Sequence, residues 1–147
     1  MSAIVRLVAT LVVLLAATAV QAENEVPTER ALEALVKGSL LTLNDANVTG
    51  NYSVMHAKLS RPFREQFSVE KLRAAFKQFR VENTDYDIIA AMAPTYDPKP
   101  AIDKDGTLVV KGTFPTEPSR VRFDLEFIPS EGEWKLITIQ VKMVPKS

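Results

Sequence analysis

Arg120-Val121-Arg122-Phe123-Asp124-Leu125-Glu126-Phe127 sets an apolar side chain at every second position and a charged one between each pair. Successive side chains of a β-strand point to opposite faces, so this stretch predicts a strand with one face on a core and the other in water. Pro129 to Gly132 follow with a turn composition, and residues 134–144 resume the two-residue period. Ile137, Ile139, Val141 and Met143 are expected on one face of that second strand, with Leu136, Thr138, Gln140 and Lys142 on the other. Two long strands joined by so short a connection are antiparallel neighbours.

Working back toward the amino terminus, Pro115 and Pro118 bound another predicted strand, residues 108–114. It is preceded by Asp103-Lys104-Asp105-Gly106, where the glycine can take the positive φ that closes a hairpin. The arm before that turn is short and flanked by Pro98 and Pro100, which suits a sheet edge. Residues 86–92 read as a first strand.

Ahead of Asn83 the period is helical. Thr28 is placed to cap a helix with Glu29 in its first turn and an apolar stripe of Ala31, Leu32, Leu35, Val36, Leu40 and Leu43. Gly38 weakens its middle, and the Asn, Asp and Gly content of residues 44–50 is expected to end it. A short helix is predicted over residues 52–59, and Pro62 is read as an interruption. From Ser68 a third helix should direct Leu72, Ala75, Phe76 and Phe79 to the core and leave Lys71, Arg73, Lys77 and Arg80 in solvent. Helices followed by a meander make an α+β domain, with the amino-terminal helices packed on a curved antiparallel sheet.

The chain has 147 residues, and its first 22 read as a secretory signal peptide. Arg6 is the one charged side chain there, residues 7–19 are apolar apart from Thr10 and Thr18, and small residues precede Glu23. Cleavage is expected between Ala22 and Glu23, with Ala19 the second choice. The apolar run is shorter than the roughly 20 residues that span a bilayer, so no stable membrane insertion is expected after cleavage. Residues 23–147 form one domain of a periplasmic or secreted protein, with 18 acidic residues against 17 basic ones once Arg6 is removed. That balance gives no strong attraction to nucleic acid. Cysteine is absent, which excludes disulfides, thiolate metal sites, thiol nucleophiles and a lipid-modified amino-terminal cysteine. With a single histidine, multi-histidine zinc sites are excluded as well, and neither a metal nor a cofactor is expected.

Three helices followed by strands, carried by residues 68–79, residues 120–127 and the closing Glu133-Trp134-Lys135-Leu136, resemble the nuclear transport factor 2-like superfamily over residues 29–144. The resemblance implies a cone-shaped fold with a pocket between sheet and helices, and a place among small exported bacterial families of unassigned role. Isomerases, dehydratases and non-enzymatic binding domains share that fold, so fold alone does not decide function. The Asp, Tyr and protonated-acid set of its isomerases has no residue-by-residue counterpart here, and no catalytic residue is carried over.

Tyr52, His56, Phe76 and Trp134 are the residues expected to face a ligand. Histidine is the residue type whose unperturbed pKa lies near neutrality, and the one histidine, His56, lies one helical turn after Tyr52, which admits an acid–base pair if a carboxylate orients the imidazole. Trp134 joins Phe114, Phe123 and Phe127 as sheet aromatics that either fill the core or line a pocket. Lys58, Arg61, Arg64, Lys71, Arg73, Lys77 and Arg80 outnumber Glu65 and Glu70, a pattern read as a solvated face rather than an anion site. Asp97, Asp103, Asp105 and Glu117 lack calcium-loop spacing and are read as turn residues. The expected function is binding of a small apolar ligand or a protein partner, with a homodimer through the outer sheet face. The alternative is an isomerase- or dehydratase-type enzyme with its base in the cone pocket.

Overall fold

The computed structural model describes residues 25–146, and the expected signal peptide with its cleavage site lies outside them. Five α-helices come first: α1 (Glu29–Thr49), α2 (Ser53–Lys58), α3 (Arg61–Gln66), α4 (Val69–Ala75) and α5 (Lys77–Val81). After a 3-10 helix at Asp87–Ala91 come β1 (Thr95–Tyr96), β2 (Ala101–Ile102), β3 (Leu108–Phe114), β4 (Ser119–Ser130) and β5 (Glu133–Pro145). The protein is an α+β fold in which β3, β4 and β5 form an antiparallel meander. Both β1 and β2 pair with the outer edge of β3, as two pieces of one interrupted edge strand.

The alternation in β4 holds throughout. Val121, Phe123, Leu125 and Phe127 are buried against α1, and the charged residues between them line the outer face. There Lys111 pairs with Asp124 at 3.7 Å and Thr138 donates to Glu126 at 2.8 Å, so the outer surface is polar. In β5 the expected phase breaks. Glu126 pairs with Thr138 but Phe127 pairs with Leu136, which leaves Ile137 as the extra residue of a β-bulge. The bulge turns Leu136 into the core, where the simple alternation had put it on the polar face.

Helix α1 opens as expected, with Thr28 Oγ1 accepting from the Ala31 amide at 3.3 Å. It does not stop at Asn44. It runs to Thr49 and ends where Gly50 takes φ 72° and donates to the Ala46 carbonyl. Asn44 and Asn47 are buried, because their amides serve tertiary contacts rather than a turn: Asn44 donates to Asp85 at 2.8 Å and accepts from the Tyr86 amide at 3.0 Å.

Three further expectations are corrected. Pro62 starts α3 rather than interrupting structure, since proline's missing N–H is one the first helical turn leaves unbonded anyway. Residues 86–92 are not a strand: the Asp87 amide bonds to the Asp85 side chain, and Tyr86 and Ile89, three apart, bury together in a helical turn. The third predicted helix is broken at Phe76 into α4 and α5, and Ala75 is exposed while Leu72 is buried. Ala31 is likewise exposed.

Candidate functional site

The buried stripe of α1, Leu32, Val36, Leu40 and Leu43, belongs to the same core as the inner-face residues of the sheet. Beside that stripe runs a second one: Ala34 and Leu35, then Gly38 and Ser39, then Thr42, each set about one turn further on. Most of these side chains are small and leave space beside the helix, and a groove of about 300 Å³ opens along it. The opposite wall is the tip of the β4–β5 hairpin, with Phe127, Trp134 and Leu136, and one end is closed by Met55, Lys58 and Leu59 from α2 and its exit. The Ser60 amide donates to the Leu136 carbonyl at 2.9 Å, which ties the α2 exit to the hairpin and fixes the two walls relative to one another.

Gly38 is central to this geometry. A Cβ added there meets nothing within 4 Å, so no packing contact demands the glycine, while a helix interior disfavours glycine by roughly 1 kcal/mol relative to alanine. The open space above it is part of the groove.

The charges at the groove differ in how they are matched. Lys135 pairs with Glu131 at 3.6 Å, and Glu131 also takes Arg64 at 2.5 Å; the Arg64 hydrogen bond holds the Glu131 carboxyl below its usual range. Lys58 makes only a long 3.4 Å contact to the Thr42 hydroxyl, with no carboxylate partner among the described residues. Glu133, exposed on the hairpin, is the carboxylate among the lining residues.

Of the four residues expected to face a ligand, Trp134 lies in the groove and the other three lie elsewhere. Tyr52 is buried, donates to Asn47 Oδ1, accepts from Arg80 at 2.8 Å and stacks on Phe76 with ring centroids 6.4 Å apart. The Arg80 guanidinium sits over the Tyr52 ring at 5.5 Å and also donates to the Arg73 carbonyl, while Arg73 donates to the Gly50 carbonyl at 2.5 Å. These arginines place positive charge at the carboxyl end of α1, whose last turn has no basic residue of its own. They are therefore part of the packing between α1 and the α4–α5 segment, not simply a solvated stripe. Neighbouring Tyr86 is buried and its phenol is pushed well above its ordinary pKa by desolvation; burial raises that of Tyr96 as well, so both stay neutral.

His56 sets its Nε2 2.8 Å from the Phe67 carbonyl oxygen. Its partner is a backbone carbonyl rather than a carboxylate, and it does not line the groove. Asp103 accepts from the Asp105 and Thr107 amides, which is turn chemistry, and no group of three or more acidic or histidine side chains among the described residues could hold a metal ion. No helix among them is long and apolar enough to cross a membrane. A polar hollow also lies on the outer sheet face, around Lys111, Arg122, Asp124 and Lys142.

Sequence reasoning missed Gly38, Leu35, Thr42 and Lys58 as groove residues. Its one usable signal was the succession of Ala34, Gly38 and Thr42 beside a stripe of leucines, which marks a helix face too small to pack. Comparison with protein-family models, with curated proteins and with solved structures found no match to this chain.

Proposed function

We propose that this protein is an exported, non-catalytic domain that binds a small apolar ligand in the groove between α1 and the β4–β5 hairpin. The observation that carries the reading is the glycine at position 38: a helix-weakening residue with open space above it, in a groove also lined by Leu35, Phe127 and Trp134. A volume near 300 Å³ is at the lower end of what small-molecule sites enclose. The order of helices before meander, with a hollow between the layers, supports a nuclear transport factor 2-like assignment for the fold. An acid–base role for His56 has no orienting carboxylate to support it.

Trp134 is the chain's one tryptophan, so its emission reports on the groove alone. Titration with octan-1-ol is expected to shift that emission with a Kd near millimolar or tighter, in keeping with roughly 0.5 kcal/mol for each ligand heavy atom. Gly38→Leu, which puts a side chain into the open space above the helix, is expected to weaken binding about tenfold or more while leaving the fold at least as stable. Unchanged emission in the unsubstituted protein, or undiminished affinity in Gly38→Leu, contradicts the reading.

Export is supported by the charged start, apolar run and small residues that precede Glu23. Mass spectrometry of the protein recovered from outside the cytoplasm is expected to show an amino terminus at Glu23. A chain that retains Met1 contradicts it.

A further inference from the structure

The groove is chemically graded along its length, and the grading identifies a class of ligand. Along α1 the lining passes from Ala34 and Leu35 through Gly38 and Ser39 to Thr42, and the Thr42 hydroxyl lies 3.4 Å from the Lys58 ammonium. The Ala34 and Leu35 end of the helix therefore offers hydrocarbon, while the α2 end carries a hydroxyl and an unneutralised cation beside Met55 and Leu59. The second lysine of the groove, Lys135, is only 16% exposed and already paired with Glu131, so it offers a hydrocarbon stem rather than a free charge. A contact of 3.4 Å to a neutral hydroxyl satisfies at most one of the three donors of an ammonium group.

We propose that the groove selects amphipathic monocarboxylic acids, with the hydrocarbon chain along Leu35, Phe127 and Trp134 and the carboxylate at Lys58 and Thr42. This rests on the groove reading above and narrows it to one ligand class. A carboxylate matches the site because a single lysine supplies one point charge and the adjacent threonine one further donor. A phosphate dianion calls for a second free cation or a forked guanidinium, and among the lining residues Lys135 is already paired with Glu131 and there is no arginine. Glu133 stands on the hairpin rather than on the α1–α2 side, and its negative charge disfavours ligands that carry more than one negative charge.

The test compares three probes of one chain length, octanoate, octan-1-ol and octylamine, binding to the purified protein through Trp134 emission. Octanoate is expected to bind about fivefold more tightly than octan-1-ol at low ionic strength, the gain typical of a partly exposed ion pair, and octylamine more weakly than either. The preference should shrink in high salt, since the pair is open to solvent. Lys58→Met, at an exposed position, is expected to abolish the preference for octanoate over octan-1-ol. If octanoate and octan-1-ol bind equally, or if Lys58→Met keeps the preference, the carboxylate assignment is overturned while the apolar groove stands. If none of the three probes moves Trp134 emission, the groove reading fails and this inference fails with it.

Discussion

Phe123→Ala is expected to destabilise the protein by about 3–5 kcal/mol, the range found when a buried aromatic is cut back to a methyl group. Phe123 is on the middle strand of the meander, 1% exposed, with its ring 5.6 Å from Phe114 and 6.3 Å from Tyr96. Those contacts join β4 to β3 and to the edge piece β1, so the cavity left behind opens across three strands and cannot collapse onto one mobile side chain. Urea unfolding followed by circular dichroism measures it, with a fall in midpoint at constant slope as the expected form. A loss below about 1 kcal/mol contradicts the placement of Phe123 at the centre of the core.

Gly112→Ala is the second large effect, and it has a different cause. Gly112 lies on the inner face of β3, opposite Phe123 on one side and Tyr96 on the other. A Cβ at this position would come 2.2 Å from the Thr95 carbonyl oxygen and 2.8 Å from Phe123 Cζ. The ring could swing aside, but the carbonyl belongs to the paired backbone of β1 and can move only if the edge strand separates. The expected cost is about 3 kcal/mol, at the upper end for overpacking, with β1 detached from β3. Combining the two substitutions removes the ring contact and leaves the carbonyl overlap. The double variant should therefore lose less than the sum of the single losses and still more than Phe123→Ala alone. Amide hydrogen exchange would show β1 and β2 opening in Gly112→Ala while β4 and β5 stay protected. Ordinary stability in Gly112→Ala contradicts the close approach of β1.

How far the sequence discloses this structure depends on whether one interaction or several determine each segment. The alternation from Arg120 to Phe127 has one cause, a strand with one wet face, and every position follows it. The strand after it carries the same period, but the bulge at Ile137 shifts the phase, and nothing in residues 133–138 marks where the extra residue falls. Asn44 and Asn47 have turn-forming side chains, so they read as a helix end. Their actual role comes from Asp85, Tyr86 and Tyr52, and these partners are unknowable before the fold is. Residues 86–92 carry β-forming isoleucines, yet Tyr86 and Ile89 bury at a spacing of three, and tertiary packing overrides the local preference.

The groove follows the same rule. Trp134 was legible as a groove residue because a large aromatic at a hairpin tip must either bury or line something. Tyr52 and Phe76 were expected to face a ligand; the structure instead stacks them on each other away from the groove, with Arg80 on the Tyr52 hydroxyl. Gly38 was visible as a weak point of α1, but a glycine's purpose depends on what is absent above it, and that is a property of the assembled layers. Lys58 sits in a run of bases of which four are neutralised or packed, Arg61 by Glu65 at 3.1 Å, Arg64 by Glu131, Arg73 and Arg80 at the end of α1, while Lys71 and Lys77 are exposed on α4 and α5, away from the groove. Only the fold separates the cation at the groove from the others.

The most direct test of the groove as the binding surface is amide and indole chemical-shift mapping as octan-1-ol is added. The groove predicts progressive shifts at Ala34, Gly38, Thr42, Ala57 and the Trp134 indole, with Thr113, Gln140 and Lys142 on the outer face of the sheet unmoved. Shifts confined to that outer face, or no shifts at all at saturating octan-1-ol, would contradict it.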